Sequence, residues 1–134
     1  MNRLVIAFLV LVATSVSAFA QGLPIPSYWL NQRGSEMKLY AMEPNGTFTG
    51  VYINHAAGFA CQNIPYNLAG RAWADHWGHE NVLFGVVWTN WAQDCHSKTL
   101  WRGHLVGHTL WTEWILIDAT GHVLRGRDAF QLQP

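Results

Sequence analysis

Charge is scarce in this chain. Asp, Glu, Lys and Arg make up 12% of its 134 residues, and the two signs balance at eight each. No basic stripe or patch marks a nucleic-acid partner. Cysteine is scarcer still, with only Cys61 and Cys95. Beyond the first 20 residues no apolar run is long enough to cross a membrane as a helix. Nowhere do apolar residues recur at convincing helical spacing, and no repeat, low-complexity tract or linker divides the chain. These absences leave one domain with a modest core, built from strands.

The first 20 residues stand apart. Arg3 gives a positive start, residues 4–12 an apolar run, and Ala18-Phe19-Ala20 a small-residue cleavage pattern. Together they read as a secretory signal peptide, the apolar run being too short for a membrane anchor. Of the eight basic residues its removal takes Arg3, leaving seven against eight acidic ones and a formal charge of −1. The expected destination is secreted or periplasmic. In such an oxidising compartment two cysteines favour a Cys61–Cys95 disulfide over a pair of buried free thiols. The remaining domain, residues 21–134, opens on a Pro/Gly-containing leader over 21–26 that is expected to be mobile.

What the sequence has in quantity is alternation and tryptophan. Period-two patterning and turn residues predict eight strands, at 27–31, 37–41, 47–55, 66–73, 82–90, 98–106, 110–118 and 123–132. Pro44-Asn45-Gly46 is strong hairpin chemistry between the second and third. Asn45-Gly46-Thr47 is also a glycosylation sequon, which matters only in a eukaryotic secretory path. Short successive strands favour antiparallel neighbours. Eight of them suffice for an all-β fold, an eight-stranded antiparallel up-and-down β-barrel with room for side chains or one small ligand. A two-sheet sandwich is the alternative.

Alternation also sorts the side chains. Phe84, Val86 and Trp88 share one face, as do Ser97, Thr99 and Trp101, and Thr112, Trp114 and Leu116. By the same rule Phe48, Gly50, Tyr52 and Asn54 fall together, as do Gly126, Asp128 and Phe130. Three neighbouring strands thus each bring a tryptophan to one interior. A buried hydroxyl without a partner costs ~1–3 kcal/mol, so Ser97 and Thr99 beside Trp101 indicate a wet or ligand-filled space. Aromatic walls with a few fixed polar groups suit a small-molecule site.

A catalytic reading finds little footing. The seven histidines include the pairs His76 with His79 and His104 with His108. Zinc needs three or four converging ligands and neither pair has a third, so no metal is expected. A serine nucleophile beside His96 fails because adjacent strand residues point to opposite faces.

Several pieces, taken in order, resemble the avidin and streptavidin family of biotin-binding proteins. They are Trp29 to Ser35 (WLNQRGS), Thr49 to Tyr52 (TGVY), Asn67 to Arg71 (NLAGR), Trp88, His96 to Gly103 (HSKTLWRG), Trp114, and Gly126 to Phe130 (GRDAF). The resemblance implies a non-catalytic, high-affinity biotin binder without a cofactor. Asn31, Ser35 and Tyr52 would donate to the ureido oxygen, stabilising its polarised form as an oxyanion hole does. Asp128 and Asn54, the latter where streptavidin has serine, would accept from the ureido N–H groups. Thr99 would approach the thioether sulfur and Ser97 the valerate carboxylate. Trp88, Trp101 and Trp114 would form the walls, with Leu116 in the floor. Each residue has a plainer role open to it: Asn31 and Ser35 as turn caps, Asp128 as a paired carboxylate, the tryptophans as core. Their joint fit to one polar–apolar molecule favours the ligand. A secreted carrier of another small ligand on the same barrel is the alternative function.

The loop at residues 58–63 and the cysteine pair resemble the short, dimeric bacterial avidins of the rhizavidin and shwanavidin type. In tetrameric avidins the segment between the last two strands lends a tryptophan to a neighbouring subunit's site. Here no tryptophan follows Trp114. Phe59 is the candidate to cover that side, with ordinary packing on the rim as its alternative. A homodimer is expected, because Trp111, Ile115 and Ile117 fall on the outer face of the seventh strand and a two-fold axis would bury that patch. If the leader covers Trp111 instead, the chain is a monomer.

Overall fold

The structure, a computed structural model, describes residues 22–134; the signal-peptide reading of residues 1–20 lies outside them. Eight strands follow one another: β1 (Ser27–Asn31), β2 (Glu36–Met42), β3 (Thr47–Ile53), β4 (Pro65–Ala74), β5 (Glu80–Thr89), β6 (Asp94–Val106), β7 (Thr109–Asp118) and β8 (Val123–Leu132). Each pairs antiparallel with its sequence neighbours, and β8 returns to β1 through Trp29↔Leu132 and Asn31↔Phe130. The barrel is closed, and the sandwich alternative falls. Closure removes the free edges that would otherwise invite pairing with other chains.

The alternation sets which side chains enter the barrel. In β5 the residues Val82, Phe84, Val86 and Trp88 are buried while Leu83 and Val87 are exposed. Two departures from simple alternation shape the ends. β6 begins at Asp94, four residues before the predicted start, because its pairing with β5 slips between Val87 and Thr89 and His96 takes a left-handed φ of 49°. β3 ends at Ile53, so Asn54 opens the following loop and keeps only an isolated bridge to Gln62. The Asn45-Gly46 turn forms as expected, with Glu43 N donating to Thr47 O at 2.7 Å.

The leader departs from expectation. Leu23 is buried and Ile25 packs against the core cluster, so residues 23–25 plug one end of the barrel and are not loose. Burying a leucine side chain is worth about 1.5–3 kcal/mol, enough to offset ordering a residue or two of backbone. The leader does not shield Trp111, which stays 51% exposed.

Packing divides the interior in two. Trp29, Phe48, Phe84, Leu110 and Phe130 fill one half completely. Phe84 lies between Phe48, at 6.4 Å, and Phe130, at 6.0 Å, and stacks on Trp101 at 5.1 Å with the planes 10° apart. Beyond Trp101 the side chains turn polar and the barrel opens. The turn at 32–35, the loop at 54–64 and the turns at 90–93 and 119–122 all lie at that open end.

Candidate functional site

The open half encloses a cavity of about 240 Å³. Asn31, Ser35, Tyr52, Asn54, Phe59, Trp88, Ser97, Thr99, Trp101, Trp114, Leu116 and Asp128, the residues singled out from the sequence, all line it. They come from six strands and two connections, brought together because alternate residues of every strand face inward.

One pole gathers hydrogen-bond donors. Asn31 ends β1, and its Oδ1 accepts from Arg33 N and Ser35 N, both at 2.9 Å. The turn-capping role and an inward-facing role therefore coexist: with the oxygen committed to the turn, Nδ2 is left facing Tyr52 Oη at 3.3 Å. Burial first, then the negative charge of Asp128, pushes the Tyr52 hydroxyl well above the ordinary phenol value. It therefore stays protonated and able to donate. Ser35 Oγ accepts from His55 N at 2.9 Å and lies 3.4 Å from Asn54 Oδ1. Asn54 Nδ2 donates to Ala60 O and Oδ1 accepts from Ala56 N, so this amide presents an acceptor to the cavity beside the donors.

Across the cavity stands Asp128. Its Oδ2 accepts from Trp101 Nε1 at 2.9 Å and its Oδ1 from Gln32 Nε2 at 3.0 Å. Gln32 also donates to Arg127 O and accepts from Ala129 N, pinning the β1–β2 turn to β8 on either side of the carboxylate. Trp88 Nε1 donates to Thr99 Oγ1 at 2.8 Å, which answers the hydroxyl's need for a partner without a ligand. Tyr52 packs against Trp101 at 4.9 Å and edge-on to Trp88 at 5.8 Å. Trp114 faces Gly126 across the β7–β8 ladder, where any Cβ would overlap the indole, so its ring lies across β8. Among the described residues every buried side-chain nitrogen and oxygen has a partner. The polar groups are held in place by one another before anything binds, which lowers the ordering cost of binding.

The loop at 54–64 forms one side of the mouth. Cys61 and Cys95 are joined by a disulfide with Cα atoms 6.3 Å apart, tying the loop to the start of β6. Gln62 donates to Ala56 O and Asn63 N donates to Asn54 O, bracing the loop from within. His55 adds an outer clamp, its Nε2 2.8 Å from Glu36 Oε2 and its Nδ1 2.8 Å from Asn63 Oδ1. The hydrogen bond to Glu36, then that to Asn63, raises the His55 pKa above the usual imidazole value. In return His55 first, and the Tyr28 hydroxyl second, hold Glu36 below the usual carboxylate range.

The model of the avidin family matches residues 20–131. The chain belongs to the avidin family. Among the relatives of this avidin, afifavidin from Afifella pfennigii is 37% identical over 124 residues, covering 87% of this chain and 74% of that protein. The crystal structure of apo shwanavidin superposes with a TM-score of 0.76 at 33% identity, covering 85% of this chain and all of that one. A rhizavidin–biotin complex superposes with a TM-score of 0.73 at 34% identity, covering 83% of this chain and 93% of that one.

In this avidin the cavity wall holds further residues that pattern reading missed: Arg33, Ala56, Gly58, Ala60, Cys95, Asp118 and Leu124. Two of them had a signal. Asp118 continues the period of Thr112, Trp114 and Leu116 by one step, and Leu124 precedes Gly126 and Asp128 in theirs. The Thr120 hydroxyl, with backbone N–H groups of Thr120 and His122, keeps Asp118 below the usual carboxylate range, so the mouth carries a negative charge. Arg33 had a weaker signal, lying in a turn between Asn31 and Ser35. Gln32 was missed because its work is indirect, through Asp128. Among the described residues no group of three or more His, Cys, Asp or Glu side chains is placed to hold a metal ion.

Proposed function

We propose that this protein captures biotin, one molecule per chain, and performs no chemistry on it. The observation that carries this reading is the division of one cavity into a donor pole and an acceptor flank. Asn31, Ser35 and Tyr52 converge where a ureido oxygen would sit, and Asn54 and Asp128 stand where its two N–H groups would point. Donors on a carbonyl and acceptors on its flanking amides strengthen one another by polarising the same group. Trp88, Trp101 and Trp114 give the fused rings and the alkyl chain an apolar wall, Leu116 extends it, and Thr99 meets the sulfur. Ser97 lies further toward the mouth, the place for a carboxylate. The biotin bound in the rhizavidin structure supports the choice of ligand.

Isothermal titration of the protein lacking residues 1–20 tests the function directly. One biotin per chain is expected; no heat and no thermal shift with excess biotin would end the reading. Export to the periplasm or the cell exterior, with removal of residues 1–20, accords with the disulfide.

The working unit in this proposal is a homodimer. Along the outer face Gly85, Leu100 and Ile115 stand in one row across β5, β6 and β7, and Val87, Lys98, Ile117 and Val123 in the next across β5 to β8. Leu100, Val87, Val123 and Trp111 are exposed in the single chain. An apolar sheet face of this extent is typical of an interface, and a two-fold axis lets one such patch cover its copy. Light scattering decides: a mass near two chains is expected, and one chain or four would overturn the dimer.

A further inference from the structure

The cavity wall contains one charged side chain with no role so far, Arg33. Its guanidinium carbon lies 5.9 Å from the centre of the Phe59 ring and 5.9 Å from that of Trp114. Those two rings meet edge to face at 6.2 Å. The three groups arrive from separate places: the β1–β2 turn, the loop after β3, and β7. A guanidinium beside an aromatic face is drawn to the negative charge of the ring's π-cloud, and it gives up less hydration than an ammonium does. Glycines set both connections. Gly34, next to Arg33, has φ 79° and Gly58, next to Phe59, has φ 85°, conformations that other residues rarely adopt.

Arg33 has no competing commitment. Among the described residues no carboxylate lies within ion-pairing distance of it. The carboxylates of the cavity wall are engaged elsewhere, Asp128 by Trp101 and Gln32, Asp118 by Thr120 and the backbone. The two aromatic contacts are what the guanidinium has, and Phe59 cannot swing off the cavity without breaking one of them.

Building on the biotin reading, we propose that Arg33 is a positioning residue that clasps Phe59 to Trp114 and so closes the flank of the cavity within a single chain. The clasp touches the apolar body of the bound molecule and not its charged end. It governs escape more than encounter, and it acts alike on a ligand acid and its uncharged amide. Each cation–π contact at an exposed edge is worth about a 2- to 5-fold change in an equilibrium, so losing both corresponds to roughly 5- to 30-fold.

The test measures association and dissociation rates of biotin and of biotin amide for the wild type, Arg33→Gln, Arg33→Lys, Phe59→Ala and the Arg33→Gln/Phe59→Ala double variant. Arg33→Gln is expected to speed release of both ligands by the same roughly 5- to 30-fold, with association little changed. Arg33→Lys is expected to recover part of the loss. In the Phe59→Ala background Arg33→Gln should add much less, because half of the clasp is already gone. The melting temperature of unliganded Arg33→Gln should match wild type, separating positioning from stability. An effect on biotin but not on its amide would overturn the clasp and make Arg33 a counter-ion for the carboxylate. Additive effects of the two substitutions, or unchanged release in Arg33→Gln, would overturn it as well. If wild type binds neither ligand, it is the biotin reading that has failed, and that result precedes any variant.

Discussion

The same strands build two halves of one barrel with opposite chemistry. In β1 Trp29 lies in the filled half and Asn31 in the hollow one; in β3 the pair is Phe48 and Tyr52, in β5 Phe84 and Trp88, in β8 Phe130 and Asp128. Two to four residues along a strand separate a dry aromatic from a cavity-lining group. The filled half owes its stability to apolar area removed from water. The hollow half forgoes part of that gain and is held by hydrogen bonds among its own polar side chains, by Gln32 and by the disulfide. A binding protein can afford such a half because the other secures the fold.

The contrast can be broken from either side. Phe130→Ala, in the filled half, should cost about 3–5 kcal/mol of stability, the range for deleting a buried phenylalanine; urea titration would read it as a lower midpoint. A small loss would mean that the filled half does not carry the fold. Replacing both Cys61 and Cys95 with serine opens a link spanning 34 residues. The chain-entropy model puts that at roughly 3–4 kcal/mol, and biotin should also leave faster as the loop loosens. Unchanged release would show that the disulfide serves stability alone.

Asp128→Ala, in the hollow half, should instead act on the ligand. Binding is expected to weaken by ~1.5–3 kcal/mol or more, the range for a hydrogen bond to a charged group, while the melting temperature of the empty protein moves little. Calorimetry beside thermal melts separates the two. A large fall in melting temperature with unchanged affinity would reverse the division.

The smallest effect concerns pH at the rim of the hollow half. The pKa of His55 is raised on folding, so its contribution is complete below the ordinary imidazole value and fades as pH climbs through the raised one. The pKa of Glu36 is lowered, so its contribution is complete above the ordinary carboxylate value and fades as pH falls through the lowered one. Together they act most fully between about pH 4.3 and 6.5. His55→Gln should therefore cost most in that window, about 0.5 kcal/mol for so solvent-screened a pair. Thermal melts from pH 3 to 9 would show the difference narrowing on both sides; a constant difference would remove the ion pair.

The barrel itself was legible because its signal repeats: every strand alternates, and eight alternations leave few architectures. The inward faces followed from the same period, which is why Ser97, Thr99 and Trp101 were assigned together. What escaped were features that break the period or act at a distance. His96, in a left-handed conformation, hid the first residues of β6 within an apparent polar turn. Leu23 was lost among prolines and glycine that suggested a loose leader, since burial of one side chain leaves no periodic trace. Arg33 and Gln32 sit in a turn, where no alternation says which way a side chain faces. Their placement depends on Phe59, Trp114 and Asp128, far away in sequence.

The eight tryptophans sort themselves without exception. Trp29, Trp88, Trp101 and Trp114 are at most 8% exposed, while Trp73, Trp77, Trp91 and Trp111 are at least 42% exposed. The protein therefore carries two separate sets of intrinsic fluorophores. An aqueous quencher such as iodide reaches the outer set alone, and light from the inner set, shifted to the blue by its dry surroundings, remains. Three of those inner indoles border the cavity, so filling it alters the unquenched emission, while pairing of two chains through the Trp111 face alters the quenched part. Occupancy and association can then be followed in one cuvette, at separate wavelengths, with no label attached.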